Sequence, residues 1–300
     1  MSFRSGRGPS ETRLGGAGFL LSSVLWDCRR VPAVFFIAVQ DFVRAAQNAF
    51  SIFITKGGMT MHPILAAQLA DDYCCTIEQV QSPENIFSVL TPRPGQRNPG
   101  DPFRAACVDG KLLVAGTPEM AAWCRERYAQ EEAAWFMEFG VLRALNERLN
   151  ADGLRIATAH PFFLPARRVQ PCTEGLTITW YERAEIEQFR GDRRFGQAYA
   201  FQTDAPDVLG VSASLGGELC AMAGASLDCA RMWQIGIDVL PAYRRRGLGW
   251  TLTALLAREV ERRGALPFYG TSMSHMASQK VALRAGFAPA WAELYAERIE

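Results

Sequence analysis

An apolar stretch in the C-terminal half of the chain runs directly into a loop rich in arginine and glycine. Residues 233–239 read as a strand, Arg244, Gly247 and Gly249 follow in the loop, and helical periodicity begins at Leu248. A helix start offers unpaired N–H groups and a favourable dipole to an anion, and glycine lets the anion approach the backbone. The spacing predicts a phosphate-binding junction. A solvated basic turn is the alternative.

The charge of this loop does not indicate a nucleotide-binding P-loop or a nucleic-acid surface. Arg244, Arg245 and Arg246 attract phosphate, but the Gly-Lys-Ser/Thr sequence of a Walker loop is absent. The chain has 32 basic and 31 acidic residues, for a formal net charge of +1. We therefore expect no nucleic-acid partner, because nothing indicates a broad basic field.

A second informative segment follows about two dozen residues after the loop. It spans residues 272–287 and contains His275, Ser278, Gly286 and Phe287. Gly286 is placed to end a helix in the left-handed conformation, with Phe287 folded back onto the helix. Alone, this segment indicates only a capped helix.

Together the two segments resemble the GCN5-related N-acetyltransferase (GNAT) family. The loop matches the family pattern [Arg/Gln]-x-x-Gly-x-[Gly/Ala], and Ser278, Gly286 and Phe287 fit its second motif, although His275 stands where the family often has Asn. The resemblance covers about residues 176–300. It implies an α/β fold with a mixed sheet (α+β), in which the strand at 233–239 splays from a strand at 266–271.

This resemblance also implies a function. Acetyl-CoA is the expected co-substrate, and the acetyl group would pass to a primary amine of a small molecule or peptide by direct attack in a ternary complex. A backbone N–H near Val239 or Leu240 would stabilise the oxyanion. The expected donor-binding residues are Ile237, Val239, Leu240, Arg244, Arg245, Arg246, Gly247, Leu248, Gly249, Trp250 and Ser278. A non-catalytic acyl-CoA sensor or scaffold is the alternative.

The usual acid and base positions of the family are not filled. Ala282 stands where many members have an acidic Tyr, and Trp233 and Gln234 stand where a Glu is common. His275 is the first candidate acid because its ordinary pKa lies near neutrality, with Ser274, Ser278 and Tyr269 as further candidates. Asp238 is a candidate base that could equally be a structural hydrogen-bond acceptor.

Periodicity predicts the elements around the loop. We expect a hairpin through Gly216 and Gly217, and a helix after the loop that ends near Gly264. The other expected elements are strands at 207–214, 218–225, 266–271 and 291–299, and helices at 181–189 and 192–199.

The first half of the chain predicts a smaller α/β domain at residues 61–165, joined by a linker at 166–175. The elements expected there are a hairpin at 103–108 and 112–115, helices at 118–128 and 139–149, and a strand at 154–158, with a turn-rich loop at 91–102 and a Pro/Arg-rich stretch at 161–171. The hairpin, helix and strand order could be a degenerate second copy of the C-terminal fold. His160 and the aromatic residues after it could line a substrate cleft, or simply pack.

Composition bounds the remaining interpretation. The chain has 300 residues, 49% hydrophobic and 21% charged, as in ordinary globular proteins. Its eight Cys lack paired C-x-x-C spacing and only three His are present, so we expect free thiols, a cytoplasmic location and no metal. We expect residues 1–60 to be a poorly structured leader without a membrane span. Met61 is a possible native start, because the codons for residues 56–58 could form a ribosome-binding sequence a short distance before it.

Overall fold

This computed structural model describes residues 61–299, and the expectations for residues 1–60 lie outside that range. Local capping accounts for the first helices. The Thr76 hydroxyl accepts from Gln79 N–H, while the Gln79 side chain accepts from Thr76 N–H, which forms a capping box. The elements that begin this half of the chain are α1 (Pro63–Asp72), α2 (Ile77–Gln81) and β1 (Ile86–Val89).

A tight hairpin follows, as expected from the sequence. Asp109 and Gly110 have φ values of 47° and 77°, the left-handed geometry that a two-residue hairpin turn requires. Thr117 caps the next helix by accepting from Met120 N–H. The elements are β2 (Phe103–Val108), β3 (Lys111–Gly116), α3 (Pro118–Tyr128), a 3-10 turn (Ala133–Trp135), α4 (Phe139–Ala151) and β4 (Leu154–Pro165).

The C-terminal half contains the strand, loop and helix order predicted around the arginines. Gly216 and Gly217 have φ values of 58° and 85° and close the predicted hairpin. Gly286, with φ of 96°, ends the last helix in the left-handed conformation as predicted. The elements are β5 (Thr177–Glu182), α5 (Arg183–Ile186), β6 (Asp207–Leu215), β7 (Glu218–Ser226), β8 (Met232–Val239), α6 (Leu248–Arg262), β9 (Leu266–Gly270), α7 (Met276–Arg284) and β10 (Phe287–Arg298).

All ten strands belong to one mixed sheet, in the order β1-β3-β2-β10-β4-β9-β8-β7-β6-β5. The C-terminal strand β10 pairs antiparallel with both β2 and β4, and so joins the two halves of the chain. The prediction of a separate domain at residues 61–165 is therefore wrong. Residues 61–300 cluster as one compact unit, because a central strand is shared.

Part of the Pro/Arg-rich stretch at 161–171 belongs to a strand. Residues 161–165 extend β4, and their register runs against the start of β10 from Phe287 onward. The strands predicted at 154–158 and 291–299 are thus longer than periodicity indicated. Prolines at sheet positions hid this continuity, since Pro normally argues against a paired strand.

The helix predicted at 181–189 is confirmed in part, as a short α-helix and a 3-10 turn over residues 183–189, and the helix predicted at 192–199 is mostly wrong. Tyr181 and Glu182 end strand β5, and only a short helix and a 3-10 turn follow. Residues 193–195 form a second 3-10 turn. Helical spacing over so short a run did not distinguish a helix from successive turns, and tertiary packing decided the outcome.

Residues 197–199, which follow the 3-10 turn at 193–195, lie across one face of the sheet. Gly210, Gly224 and Gly236 are cross-strand neighbours on β6, β7 and β8. A Cβ on Gly236 would lie 1.8 Å from the Gln197 carbonyl oxygen, and one on Gly224 would lie 1.9 Å from the Ala198 carbonyl oxygen. The glycines therefore permit the chain at 197–199 to contact the sheet.

Apolar residues fill both faces of the sheet. On one face Leu252, Leu256 and Val260 of α6 are fully buried against β6 to β9. On the other face, α1 packs over Phe162, Phe268 and Trp291. Truncation of one such α6 leucine would cost about 2–5 kcal/mol, so this packing holds the loop and helix in place. No helix within residues 61–299 is long and apolar enough to cross a membrane.

Candidate functional site

Strands β8 and β9 pair for only three positions and then diverge. Their parallel register runs from Met232 opposite Leu266 to Gln234 opposite Phe268. Beyond that point β8 continues against β7 alone, as far as Val239 opposite Ala221. The edge of β8 that faces β9 is therefore unpaired after Gln234, which is the splay that the sequence predicted.

The antiparallel pairing with β7 decides which backbone groups face the splay. Leu240 N–H donates to the Cys220 carbonyl oxygen at 2.9 Å, so Leu240 is bonded towards β7. Hydrogen-bonding direction alternates along a strand, so the backbone groups of Ile237 and Val239 point away from β7. Arg244 Nε donates to the Val239 carbonyl oxygen at 3.1 Å. Val239 N–H remains available at the splay, whereas Leu240 N–H does not.

The loop enters α6 without a side-chain cap. Gly247 is the N-cap residue, with φ of 86° and no side-chain hydrogen bond at the helix start. Arg245 also has a positive φ, of 65°. The backbone N–H groups of the first helical turn have no intrahelical partners, so they stay open to a ligand.

Gly249 contributes through packing rather than through backbone strain. A Cβ at Gly249 would lie 3.2 Å from Val281 of α7 and 3.6 Å from Val239 of β8. Close packing of α6, α7 and β8 thus requires a small residue here. Arg246 turns away from this region, and its guanidinium carbon lies 5.4 Å from the centre of the Tyr243 ring.

A cavity of about 1250 Å³ passes through the splay. Among the expected donor-binding residues, all but two line it, and the exceptions are Leu240 and Arg246. Lys280 and Arg284 of α7 also line it and add positive charge beside the loop. The residues that line both the splay and the loop are Ile237, Val239, Arg244, Arg245, Gly247, Leu248, Gly249, Trp250 and Ser278.

Two hydroxyl groups meet at the divergence of the strands. Tyr269 ends β9 and is 3% exposed, and its hydroxyl lies 2.8 Å from the Ser278 hydroxyl at the start of α7. Both residues line the cavity. Burial raises the pKa of Tyr269, and its hydrogen bond with Ser278 opposes that rise. A neutral phenol that can donate a proton therefore faces the cavity.

His275 and Asp238, the predicted catalytic residues, both line the cavity but differ in their surroundings. His275 is exposed at the N-cap of α7, and its side chain makes no capping hydrogen bond. Asp238 Oδ2 accepts from the backbone N–H groups of Gln197 and Ala198 at 2.8 and 3.0 Å. Burial raises the pKa of Asp238, and these two N–H groups oppose the rise. Asp238 thus anchors residues 197–199, the segment that lies across Gly210, Gly224 and Gly236, which we call the glycine stripe.

A buried ionic network that sequence reasoning missed lies behind the opposite end of the cavity, which Arg97 and Tyr295 line. Glu293 of β10 accepts from Arg97 Nη2 at 2.7 Å, from the Tyr295 hydroxyl at 2.7 Å and from the Tyr73 hydroxyl at 3.1 Å. Arg97 Nε also donates to Asp72 Oδ2 at 2.7 Å. Burial opposes ionisation of Glu293, but the charge of Arg97 and the hydrogen bonds from Arg97 and Tyr295 together outweigh it and lower the pKa of this carboxyl. The network joins α1, the loop at 91–102 and β10.

Sequence spacing gave no signal for these contacts, since Asp72, Arg97 and Glu293 lie far apart in the chain. The Pro/Gly-rich composition of residues 91–102 indicated turns only. His160 and Phe162 line the same cavity, as the cleft interpretation of the aromatic cluster allowed. Phe162 also stacks on Trp291 at 4.9 Å between ring centres, so it has a packing role as well.

A family model and several solved structures are similar to parts of this chain. The sequence model described as the acetyltransferase (GNAT) family matches residues 175–287. No curated protein sequence matches the chain significantly. Among solved structures, a GCN5-related N-acetyltransferase from Kribbella flavida is 20% identical with a TM-score of 0.40, over 53% of this chain and 64% of that one.

Two further solved structures match this chain with TM-scores below 0.4. A GCN5-related N-acetyltransferase-like protein from Streptococcus suis is 16% identical with a TM-score of 0.38, over 68% of this chain and 89% of that one. The yncA protein from Salmonella typhimurium, solved with its cofactor acetyl-CoA, is 15% identical with a TM-score of 0.31, over 42% of this chain and 95% of that one.

The splayed parallel strands and the open start of α6 belong to a mixed α/β fold. Residues 175–287 form a domain of the acetyltransferase (GNAT) family, in the C-terminal half of the chain. The family supports acetyl transfer that depends on acetyl-CoA as the general activity of this domain.

Proposed function

We propose that the protein transfers an acetyl group from acetyl-CoA to a primary amine by direct attack within a ternary complex. The observation that carries this proposal is the single cavity that joins the arginine and glycine loop, the splay and a polar far end. Donor and acceptor can therefore occupy one continuous space, which direct transfer requires.

The chain's own residues fit the proposed donor. Arg244, Arg245 and the open N–H groups at the start of α6 suit the pyrophosphate. The free edge of β8 at Ile237 and Val239 suits the amide groups of pantetheine. Val239 N–H is the candidate donor to the thioester carbonyl oxygen, since Leu240 N–H is already bonded to Cys220.

The reaction balances without a further reactant. The amine nitrogen forms a bond to the acetyl carbon, and the bond between that carbon and sulfur breaks. The nitrogen releases a proton to a carboxylate or to solvent, and the departing sulfur gains one. We assign the second transfer to Tyr269, because its buried hydroxyl lies at the splay and is held by Ser278. This hydroxyl comes from β9, whereas the α7 position that many family members use is Ala282.

An acyl-CoA sensor or scaffold without turnover is the second candidate, favoured by Ala282 and by the absence of a Glu near Gln234. The two candidates differ in whether products form. The purified protein should be incubated with acetyl-CoA and a panel of amines, and N-acetylated product and free thiol should be measured. Equimolar formation of both is expected for the enzyme. Binding of acetyl-CoA without either product across the panel would support the sensor.

A further inference from the structure

The far end of the cavity is built mainly from residues outside the segment that matches the acetyltransferase family. Arg97 and Asp101 come from the loop at 91–102, His160 from β4 and Tyr295 from β10. Asp228, in the turn between β7 and β8, completes this part of the wall. These residues are not needed to hold a donor on α6, so they are available to a second ligand.

Arg97 is buried yet not fully paired. Its side chain is 4% exposed. Nε donates to Asp72 and Nη2 to Glu293, and no partner for Nη1 lies within the described residues. Because Arg97 lines the cavity, its small accessible part faces that space. An oxygen of a bound ligand would complete the hydrogen bonds of this guanidinium group.

Two carboxylates accompany Arg97 at this end. Asp101 Oδ2 is buried and has no hydrogen-bond partner within residues 61–299, although Arg104 Nη2 lies 3.5 Å away as an ion-pair partner. Asp228 Oδ1 accepts from the Ser226 hydroxyl at 2.7 Å. Burial raises the pKa of Asp101 to about 6, and it also raises the pKa of Asp228, against the Ser226 hydrogen bond. Both carboxylates would gain from a cation that replaces lost solvation.

The formal charges of the cavity are divided between its two ends. The donor end has Arg244, Arg245, Lys280 and Arg284 against Asp238. The far end, with the network behind it, has Asp72, Asp101, Asp228, Glu293 and Glu297 against Arg97, Arg104 and Arg155. One end thus suits the phosphates of the donor, and the other has an excess of two negative charges and suits a positive ligand.

We propose that the far end is the acceptor subsite and that it takes a small organic cation, with its ammonium group at Asp101 and Asp228 and an oxygen of the same molecule on Arg97. Amino sugars and amino alcohols have this combination of groups. This inference rests on the proposed acetyl transfer for the name acceptor, but binding of the cation itself does not depend on turnover.

Direct titration tests this subsite. Protein saturated with coenzyme A should be titrated calorimetrically with glucosamine, its neutral N-acetyl derivative and a diamine that lacks oxygen. We expect glucosamine to bind at least tenfold more tightly than N-acetylglucosamine, and more tightly than the diamine. Stronger binding of the neutral compound, or no binding of any cation, would overturn the proposal. Binding of the diamine equal to that of glucosamine would overturn the role of Arg97.

Amino-acid substitutions test whether glucosamine binds at Asp101 and Asp228. Asp228→Asn should weaken glucosamine binding at least tenfold and leave coenzyme A affinity unchanged, and Asp101→Asn should do the same if it folds. Glu147→Gln is the matched control, because Glu147 is an exposed surface carboxylate outside the cavity. If Asp228→Asn binds glucosamine as the control does, the assignment is wrong. Absence of coenzyme A binding in the unaltered protein would instead reject the proposed function, and glucosamine binding would still be decided separately.

The pH dependence gives a second readout. Asp101 faces Arg104 of β2, Arg97 of its own loop, Asp72 of α1 and Glu293 of β10. Since the pKa of Asp101 is raised to about 6, glucosamine affinity should increase as pH rises from about 5 to about 7. Asp101→Asn should lose this increase. An increase of the same size in that variant would contradict the role of Asp101.

Discussion

Asp238 offers the sharpest separation between a structural and a catalytic role. One of its carboxylate oxygens accepts hydrogen bonds from the backbone N–H groups of Gln197 and Ala198. In Asp238→Ala both donors lose their acceptor. At about 1–1.5 kcal/mol for each partly exposed donor, the free energy of unfolding should fall by about 2–3 kcal/mol.

Asp238→Asn should behave differently, because the amide oxygen can still accept these hydrogen bonds. Burial raises the pKa of Asp238, so the charged form is disfavoured in the fold. The unaltered protein therefore loses stability relative to Asp238→Asn as pH rises from the unfolded pKa to the folded pKa. Above that range we expect the Asn variant to lie within about 1 kcal/mol of the unaltered protein.

Two measurements check this reasoning. Urea unfolding gives the stability of both variants, and initial rates with saturating acetyl-CoA give kcat per folded molecule. An anchoring role predicts that Asp238→Asn keeps kcat within about threefold. A general base would instead lose about 10²–10⁴-fold in rate. Normal stability combined with a loss of that size in Asp238→Asn would refute the anchoring role.

The remaining predictions concern the glycine stripe, the loop and the phenol. Gly236→Ala should lower the free energy of unfolding by more than about 2 kcal/mol, because its Cβ would overlap the Gln197 carbonyl oxygen; Gly140→Ala, with nothing within 4 Å, is the control in urea unfolding. Gly247→Ala should weaken acetyl-CoA binding about tenfold in calorimetry, since φ of 86° strains alanine by about 1–2 kcal/mol, and unchanged affinity would contradict the loop assignment. Tyr269→Phe should lower kcat about 10–100-fold and leave the acetyl-CoA dissociation constant unchanged, whereas an unaltered kcat and pH profile would return the acid role to His275.

The sequence predicted the donor side of the molecule well because its signals are local. Glycines at fixed offsets, arginines beside them and a helical period after them all lie within about twenty residues of one another. The hairpin turns at Asp109 and Gly216 are equally local, since each turn depends on positive φ values at adjacent residues. The turns and the start of the helix are therefore confirmed by the structure.

What the sequence did not predict depends on distant pairing. Strand β10 lies between β2 and β4, and the partners Glu293 and Ala106 are far apart along the chain. The buried network of Arg97 and Glu293 follows from that pairing, so it could not be inferred from spacing. Without it, residues 61–165 read as a separate domain and the far end of the cavity stayed hidden. The helix predicted at 192–199 was wrong for a related reason, since residues 197–199 lie against Gly210, Gly224 and Gly236 of the sheet.

The central claim is that the start of α6 holds the phosphates of an acetyl-CoA donor. Calorimetric titration of the purified protein with acetyl-CoA and with S-acetylpantetheine, which lacks the nucleotide and its phosphates, tests it most directly. We predict one acetyl-CoA per chain, with at least tenfold weaker binding of S-acetylpantetheine and an acetyl-CoA affinity that falls as salt increases. No acetyl-CoA binding, or equal affinity for the two compounds, would contradict it.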